Sequence, residues 1–267
     1  MGESYVTSEH VGEILYITLD RPSKRNALLP ESLEQLADAV CSADNLPEVR
    51  AIIVKANGPI FSAGIDVFGL AQVRAESAEQ NAARWLRRLA QAMQDTLNRI
   101  ESTETPVIGA LHGKVIGLGL EVALAFDLRV AADSCLFSLP EARMGLVADV
   151  GGTTRLSRTI GPSRTKDMFM TARDVDAAEA LSWGLVNRVV PESEVLATAE
   201  ALARQIGANA PLAVGMGKRI IDQGDGLDKA SQLAIERWAQ SQLITTEDFS
   251  EATSAFAERR PPNFRGR

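Results

Sequence analysis

An α/β fold is predicted for this chain by three observations. Short β-type runs alternate with amphipathic helical runs through about residue 190, and every run beyond Pro191 has helical period. The length, 267 residues, suits one large domain or a domain with a smaller appendage. The expected division is therefore a mixed core over 1–190 and a helical region over 191–267.

The elements follow in order. GEILYITLD (12–20) alternates and stops at Arg21-Pro22, as a strand entering a turn does. PESLEQLADAV (30–40) starts on a proline and an acid and carries Leu33, Leu36 and Val40 at helical spacing. VRAIIVKA (49–56) reads as a buried strand ending at Asn57-Gly58. A long helix is expected at about 79–102, with Trp85, Leu89, Met93, Leu97 and Ile100 on one stripe. PVIGALHG (106–113), GLGLEVALAF (117–126) and DLRVAA (127–132) read as strand, helix and strand. LVNRVV (185–190) is the last strand. Val195, Ala199, Leu202 and Ile206 then begin a series of helices expected to run to about 258.

Composition narrows the function. A net charge of −7 disfavours nucleic acid, whose phosphates need concentrated Lys and Arg, although a local basic site for a phosphate-bearing molecule stays open. The two cysteines, Cys41 and Cys135, lack metal or CxxC spacing and are expected to be reduced thiols. The N-terminal MGESYVTSEH has neither signal-peptide nor myristoylation pattern, NFRGR is not a peroxisomal tripeptide, and no apolar run has membrane-span length. Cytoplasm is the expected compartment, with no membrane partner.

Most catalytic motifs are missing. With only His10 and His112, a histidine-rich metal site is excluded, and His112 reads as structural. No nucleophile elbow, Walker loop or HExxH is present, and GLGLEV lacks the third glycine of a dinucleotide fingerprint. What stands out is three acids among apolar neighbours: Glu121 on an apolar helix, and Glu141 and Asp149 within PEARMGLVADVGG (140–152). Burying an unpaired carboxylate is costly, so such residues point to proton transfer. Two glycine-rich junctions, FSAGID (61–66) and GKVIGLGLE (113–121), each lead into a helix and can aim free backbone N–H groups at an oxyanion. Read locally, Asp149 can instead cap a helix starting near Gly152, while Asp66 and Asp127 mark a helix start and a strand start.

Together RPSKRNAL (21–28), FSAGIDV (61–67), the 106–132 segment, FSLPEARMGLVADVGGTTRL (137–156) and AAEALSWGLVNRVV (177–190) resemble the crotonase, or enoyl-CoA hydratase/isomerase, superfamily. The resemblance implies a spiral of ββα turns with a C-terminal helical region that trimerises, singly or as a dimer of trimers. It implies acyl-CoA thioester substrates, with no cofactor beyond the coenzyme A carried by the substrate. It places the oxyanion-hole N–H groups at Ile65 and Leu118, the latter where relatives usually have glycine. It also makes Lys24, Arg25, Ser62, Ala63, Gly64, Ile65, Asp66 and Leu118 substrate-binding residues.

Glu121 and Glu141 match the water-activating pair of the hydratases. Ala148-Asp149 replaces their usual Pro-Gly, and an acid in that ADVG context is similar to Δ3,5-Δ2,4-dienoyl-CoA isomerases, in which Glu121 is often Asp. The expected activity is thus a dienoyl shift, with enoyl-CoA hydration as the alternative and a silent acyl-CoA binder as a third class. The isomerase reading requires the Asp149 carboxylate to share one site with Glu121 and Glu141.

Overall fold

The computed structural model describes residues 4–224 and 226–267; the first three residues of the N-terminal segment judged above lie outside them. Strands β1 (Val6–Val11) and β2 (Ile14–Leu19) are followed by helix α1 (Pro30–Ser42) and β3 (Ala51–Ala56). Helices α2 (Val67–Glu76) and α3 (Ala82–Ser102) lead to β4 (Val107–Leu111), β5 (Lys114–Ile116), α4 (Leu118–Leu124), β6 (Leu128–Ala132) and β7 (Leu136–Ser138). Then come α5 (Gly152–Ile160), α6 (Pro162–Thr171), β8 (Val175–Asp176), α7 (Ala177–Trp183) and β9 (Arg188–Val190). Four helices finish the chain: α8 (Val195–Gly207), α9 (Pro211–Gln223), α10 (Lys229–Leu243) and α11 (Glu247–Glu258).

The strands form two sheets. One has the order β1-β2-β3-β4-β6-β9, parallel except for the β1–β2 hairpin; the other is β5-β7-β8. Successive turns send one strand to each sheet, β4 then β5 and β6 then β7. This is the α/β spiral expected from the sequence. Residues 51–54 of β3 are wholly buried, as an apolar strand within a parallel sheet must be. Leu33, Leu36 and Val40 of α1 are buried together, and the Ser32 hydroxyl closes the first turn by accepting the Leu29 N–H at 2.7 Å.

Some expectations need correcting. Strand β1 was not legible because its VTSEHV segment is polar and largely exposed; it is an edge strand held by backbone pairing, and Gly12, at φ 61°, makes the two-residue turn. The apolar stripe of α3 is buried only from Met93 onward, with Trp85 and Leu89 half-covered. Beyond 191 the chain is helical to Glu258, but α8 lays Val195, Ala199 and Ala203 against the large sheet. Helices α9 to α11 leave large apolar side chains in solvent, among them Trp238 (62% exposed) and Phe256 (88%). Among the described residues, no helix is long and apolar enough to cross a membrane.

Candidate active site

The FSAGID turn is built by backbone pairing with the segment that begins the second junction. Phe61 N–H donates to His112 O, Ser62 N–H to Lys114 O, and Ile116 N–H to Ser62 O, so this stretch runs beside β5. The 21–28 loop is pinned to it on the other side: Ala63 N–H donates to Arg25 O, Leu28 N–H to Gly64 O, and Asp66 N–H to Leu28 O. Gly64 sits at φ 85°, and a Cβ there would lie 2.7 Å from Ile116 O and 3.4 Å from Leu118 N. The two junctions therefore meet at this glycine, and only glycine fits.

At the second junction Gly117 takes φ 51°, ψ −121°, a conformation open to glycine alone. Leu118 is then the first residue of α4, in ordinary helical geometry, with its side chain 3% exposed in the core. This removes the conformational difficulty of a leucine where glycine is usual, since the strained position falls one residue earlier. The Ile65 and Leu118 N–H groups meet no acceptor among the described residues.

The three acids differ in their surroundings. Glu121, 2% exposed, accepts Val150 N–H at 2.9 Å and Gly152 N–H at 2.7 Å through one oxygen. Burial pushes its carboxyl up to about 7; the Gly152 bond opposes this, the field of Glu141 adds to it, the Val150 bond opposes, and Asp149 adds again. Glu141 stands on a single 3-10 turn, Pro140–Met144. A Cβ on Gly117 would lie 2.5 Å from its Oε1, so Glu141 abuts the start of α4, beside the Leu118 N–H. Its Oε2 is buried with no hydrogen-bond partner among the described residues. Burial raises the Glu141 carboxyl, its own N–H lowers it, and Asp149 raises it further.

Asp149 does not cap α5. The residue before that helix is Gly151, at φ 112°, with no side-chain cap, and the free amides are taken by Glu121 from another helix. The Asp149 carboxyl is half-buried, raised by that burial, and bears on both Glu121 and Glu141. Three like charges at this range favour keeping at least one proton among them.

The remaining expected residues divide. Lys24 and Arg25 are exposed on the pinned loop and have no ion-pair partner among the described residues; Arg25 adopts the left-handed conformation at φ 51°. Ala63 and Ile65 are half-buried on the turn. Ser62 and Asp66 support the turn through their side chains. Ser62, 0% exposed, donates its hydroxyl hydrogen to Asn26 O at 2.8 Å and accepts Gly64 N–H at 3.1 Å. Asp66 caps α2 by accepting Gly69 N–H at 3.0 Å and pairs with Arg21 at 2.7 Å, bonds that hold its carboxyl below the usual range. Asp127 accepts Val107 N–H and pairs with Lys218 at 3.0 Å, and His112 Nε2 lies 2.9 Å from Gly58 O, both within the framework.

Sequence reasoning missed the Val150 and Gly152 amides. The signal was a helix start at Gly151-Gly152 with no capping side chain taken up locally, and a lone acid on an apolar helix upstream.

The chain is similar to known proteins over nearly its whole length. The sequence profile described as enoyl-CoA hydratase/isomerase matches residues 9–267. A short-chain-enoyl-CoA hydratase of Clostridium acetobutylicum is 36% identical over 256 residues, covering 96% of this chain and 95% of the relative. A carnitinyl-CoA dehydratase of Citrobacter koseri is 36% identical over the full length of both. The crystal structure of an enoyl-CoA hydratase from Bacillus anthracis superposes with a TM-score of 0.90 at 31% identity, covering 99% of this chain and 100% of that one. With a family profile spanning nearly the whole chain and the fold and acids in place, this protein is an enzyme of the enoyl-CoA hydratase/isomerase family, in the crotonase superfamily.

Proposed function

We propose that this enzyme shifts a 3,5-dienoyl-CoA to the conjugated 2,4-dienoyl-CoA. The observation that carries this reading is Asp149: a half-buried carboxyl, free of the cap role, in the field of Glu121 and Glu141. Conjugation requires a proton to leave C2 and another to arrive at C6, atoms too far apart for one carboxylate to serve easily. Ionised Glu141, beside the Leu118 N–H, takes the C2 proton. The electron pair moves into a dienolate whose charge rests on the thioester oxygen, facing the Ile65 and Leu118 N–H groups. Protonated Asp149 delivers its proton to C6, and the 2,4-diene forms as the thioester carbonyl is restored. Glu141 ends protonated and Asp149 ionised, and exchange with solvent, with Glu121 as the nearby third carboxyl, resets the pair.

Each oxyanion donor is worth about 10²–10³ in rate, and each acid–base group about 10²–10⁴. Lys24 and Arg25, projecting from the loop pinned to the oxyanion turn, are the proposed contacts to coenzyme A phosphates. No further cofactor is called for. The apolar side chains on α9 to α11 support self-association as a trimer or dimer of trimers, which light scattering on the purified protein tests. Cytoplasm remains the proposed location.

The test is spectroscopic. Given a 3,5-dienoyl-CoA, the enzyme is expected to produce the longer-wavelength absorbance of the conjugated 2,4 product, and Asp149→Asn to lose it. Full activity in Asp149→Asn rejects the reading. A second reading, hydration of a 2-enoyl-CoA by Glu121 and Glu141, is favoured by the hydratase and dehydratase names of the relatives at 36% identity. Turnover of a short 2-enoyl-CoA to the 3-hydroxyacyl product, indifferent to Asp149→Asn, selects it. Thioester binding without conversion of either substrate class leaves a silent binder.

A further inference from the structure

Each peptide unit that donates to Glu121 is itself held from behind. The Val150 N–H shares a peptide with Asp149 O, and that oxygen accepts a hydrogen bond from Gln94 Nε2 on α3. The Gly152 N–H shares a peptide with Gly151 O, which accepts Arg155 N–H at 2.7 Å in the first turn of α5. Between them, Val150 O accepts from Arg155 Nη1 at 3.0 Å. The Arg155 guanidinium is locked in turn to Glu101 at 2.7 and 2.8 Å and to Asn98 at 2.7 Å. Gln94, Asn98 and Glu101 are four and three residues apart, so one polar face of α3 grips the whole 149–152 segment.

We infer that Gln94 is a positioning residue for the active site: through the Asp149–Val150 peptide it fixes the N–H on which the Glu121 carboxylate rests. In a trans peptide the carbonyl and the N–H point in opposite directions, so a donor on the oxygen both aims and polarises the N–H on the far side. Such chains strengthen each bond by roughly 10–30%. The α-carbon of Asp149 belongs to the same peptide, so the bond also sets the direction in which that side chain leaves the backbone. Nothing in the mechanism above uses Gln94, and it is not proposed to touch substrate.

The inference rests on Glu121 being one of the working acids, but its test does not depend on which substrate the enzyme takes. The charged groups bearing on Glu121 are Glu141, from the Pro140–Met144 turn, and Asp149, from the preceding loop; Arg155 and Glu101 stand behind that loop. The experiment is carboxyl-carbon NMR titration of Glu121, assigned by Glu121→Gln, in wild type, Gln94→Met and Gln94→Leu, both uncharged and without a donor. Loss of the donor is expected to move the Glu121 midpoint upward by about half a unit, roughly a threefold change in its ionisation constant. In the turnover assay kcat is expected to fall more than KM rises. A merely structural glutamine would lower Tm and leave the midpoint where it is, which overturns the inference. If Gln94→Met fails to fold, Gln94→Leu, likewise uncharged and without a donor, carries the test. If neither dienoyl nor enoyl substrate is converted, the functional proposal fails while the titration still decides the role of Gln94.

Discussion

The Glu121 carboxylate accepts the Gly152 amide N–H at 2.7 Å, closing the start of α5 with an acid supplied by α4. A helix start needs acceptors for its free amides, and the anion favoured there is ordinarily a local side chain. Here the cap and the candidate acid are the same residue. One oxygen carries both amide bonds, so the start of α5 and the protonation of the site are coupled.

That coupling has a pH signature. Glu121 is raised from its ordinary 4.5 to about 7, so the native state holds this proton at pH values where the unfolded chain has released it. Stability from this group is fully present below about 4.5 and is lost as pH rises through 7, amounting to roughly 3 kcal/mol. Glu141 and Asp149 are raised as well and act with the same sign. Denaturant unfolding at pH 5 to 8 is expected to show wild-type stability declining and Glu121→Gln declining less. Equal slopes would contradict the assignment.

Gly117 is expected to tolerate no side chain. Its φ of 51° with ψ −121° strains any other residue, and an alanine Cβ would press on Glu141 Oε1 at 2.5 Å. Gly117→Ala should lose about 1–3 kcal/mol of stability and, by displacing Glu141 and the Leu118 N–H, about 100-fold or more in kcat. Thermal unfolding and steady-state kinetics measure the two effects separately.

Arg129 secures the far end of α4. Its buried guanidinium donates to Leu185 O at 2.7 Å, Phe126 O at 2.6 Å and Ala123 O at 3.2 Å, and burial lowers its pKa to about 10. Arg129→Met strands these carbonyls without a donor and is expected to cost roughly 2–5 kcal/mol. Chemical denaturation reads the loss directly; a change under 1 kcal/mol would mean that other donors replace it.

The cysteines should behave unequally toward a thiol reagent. Cys135 is buried and its thiol is pushed up to about 12, leaving almost no thiolate at neutral pH. Cys41 is half-exposed and also free. Labelling of the native protein at pH 8 is expected to modify no more than one thiol per chain, and labelling after unfolding both. Rapid modification of two thiols in the folded state would refute the burial of Cys135.

Much of the framework was legible because it is locally periodic. The buried run of β3, the Leu33–Leu36–Val40 stripe of α1 and the helical tail to Glu258 all report their own exposure pattern. The polar edge strand β1 was not legible, because its hydrogen bonds are made by backbone and leave no trace in side-chain pattern. The structural bonds of Ser62 and Asp66 were hidden for a related reason. Their partners, Asn26 O and Arg21, lie 36 and 45 residues away, at distances that spacing along the chain does not encode.

By itself, then, the sequence determined the α/β class, the order of elements, the two glycine junctions and the presence of three acids among apolar neighbours. Periodicity and turn chemistry act within a few residues, and those features live on that scale. Only the tertiary structure decided that Glu121 meets amides 29 and 31 residues onward, and that Gly117 rather than Leu118 takes the strained backbone. It likewise decided that α3 braces the segment carrying Asp149. A buried acid must find its donors wherever packing brings them, and packing is settled by the whole chain at once.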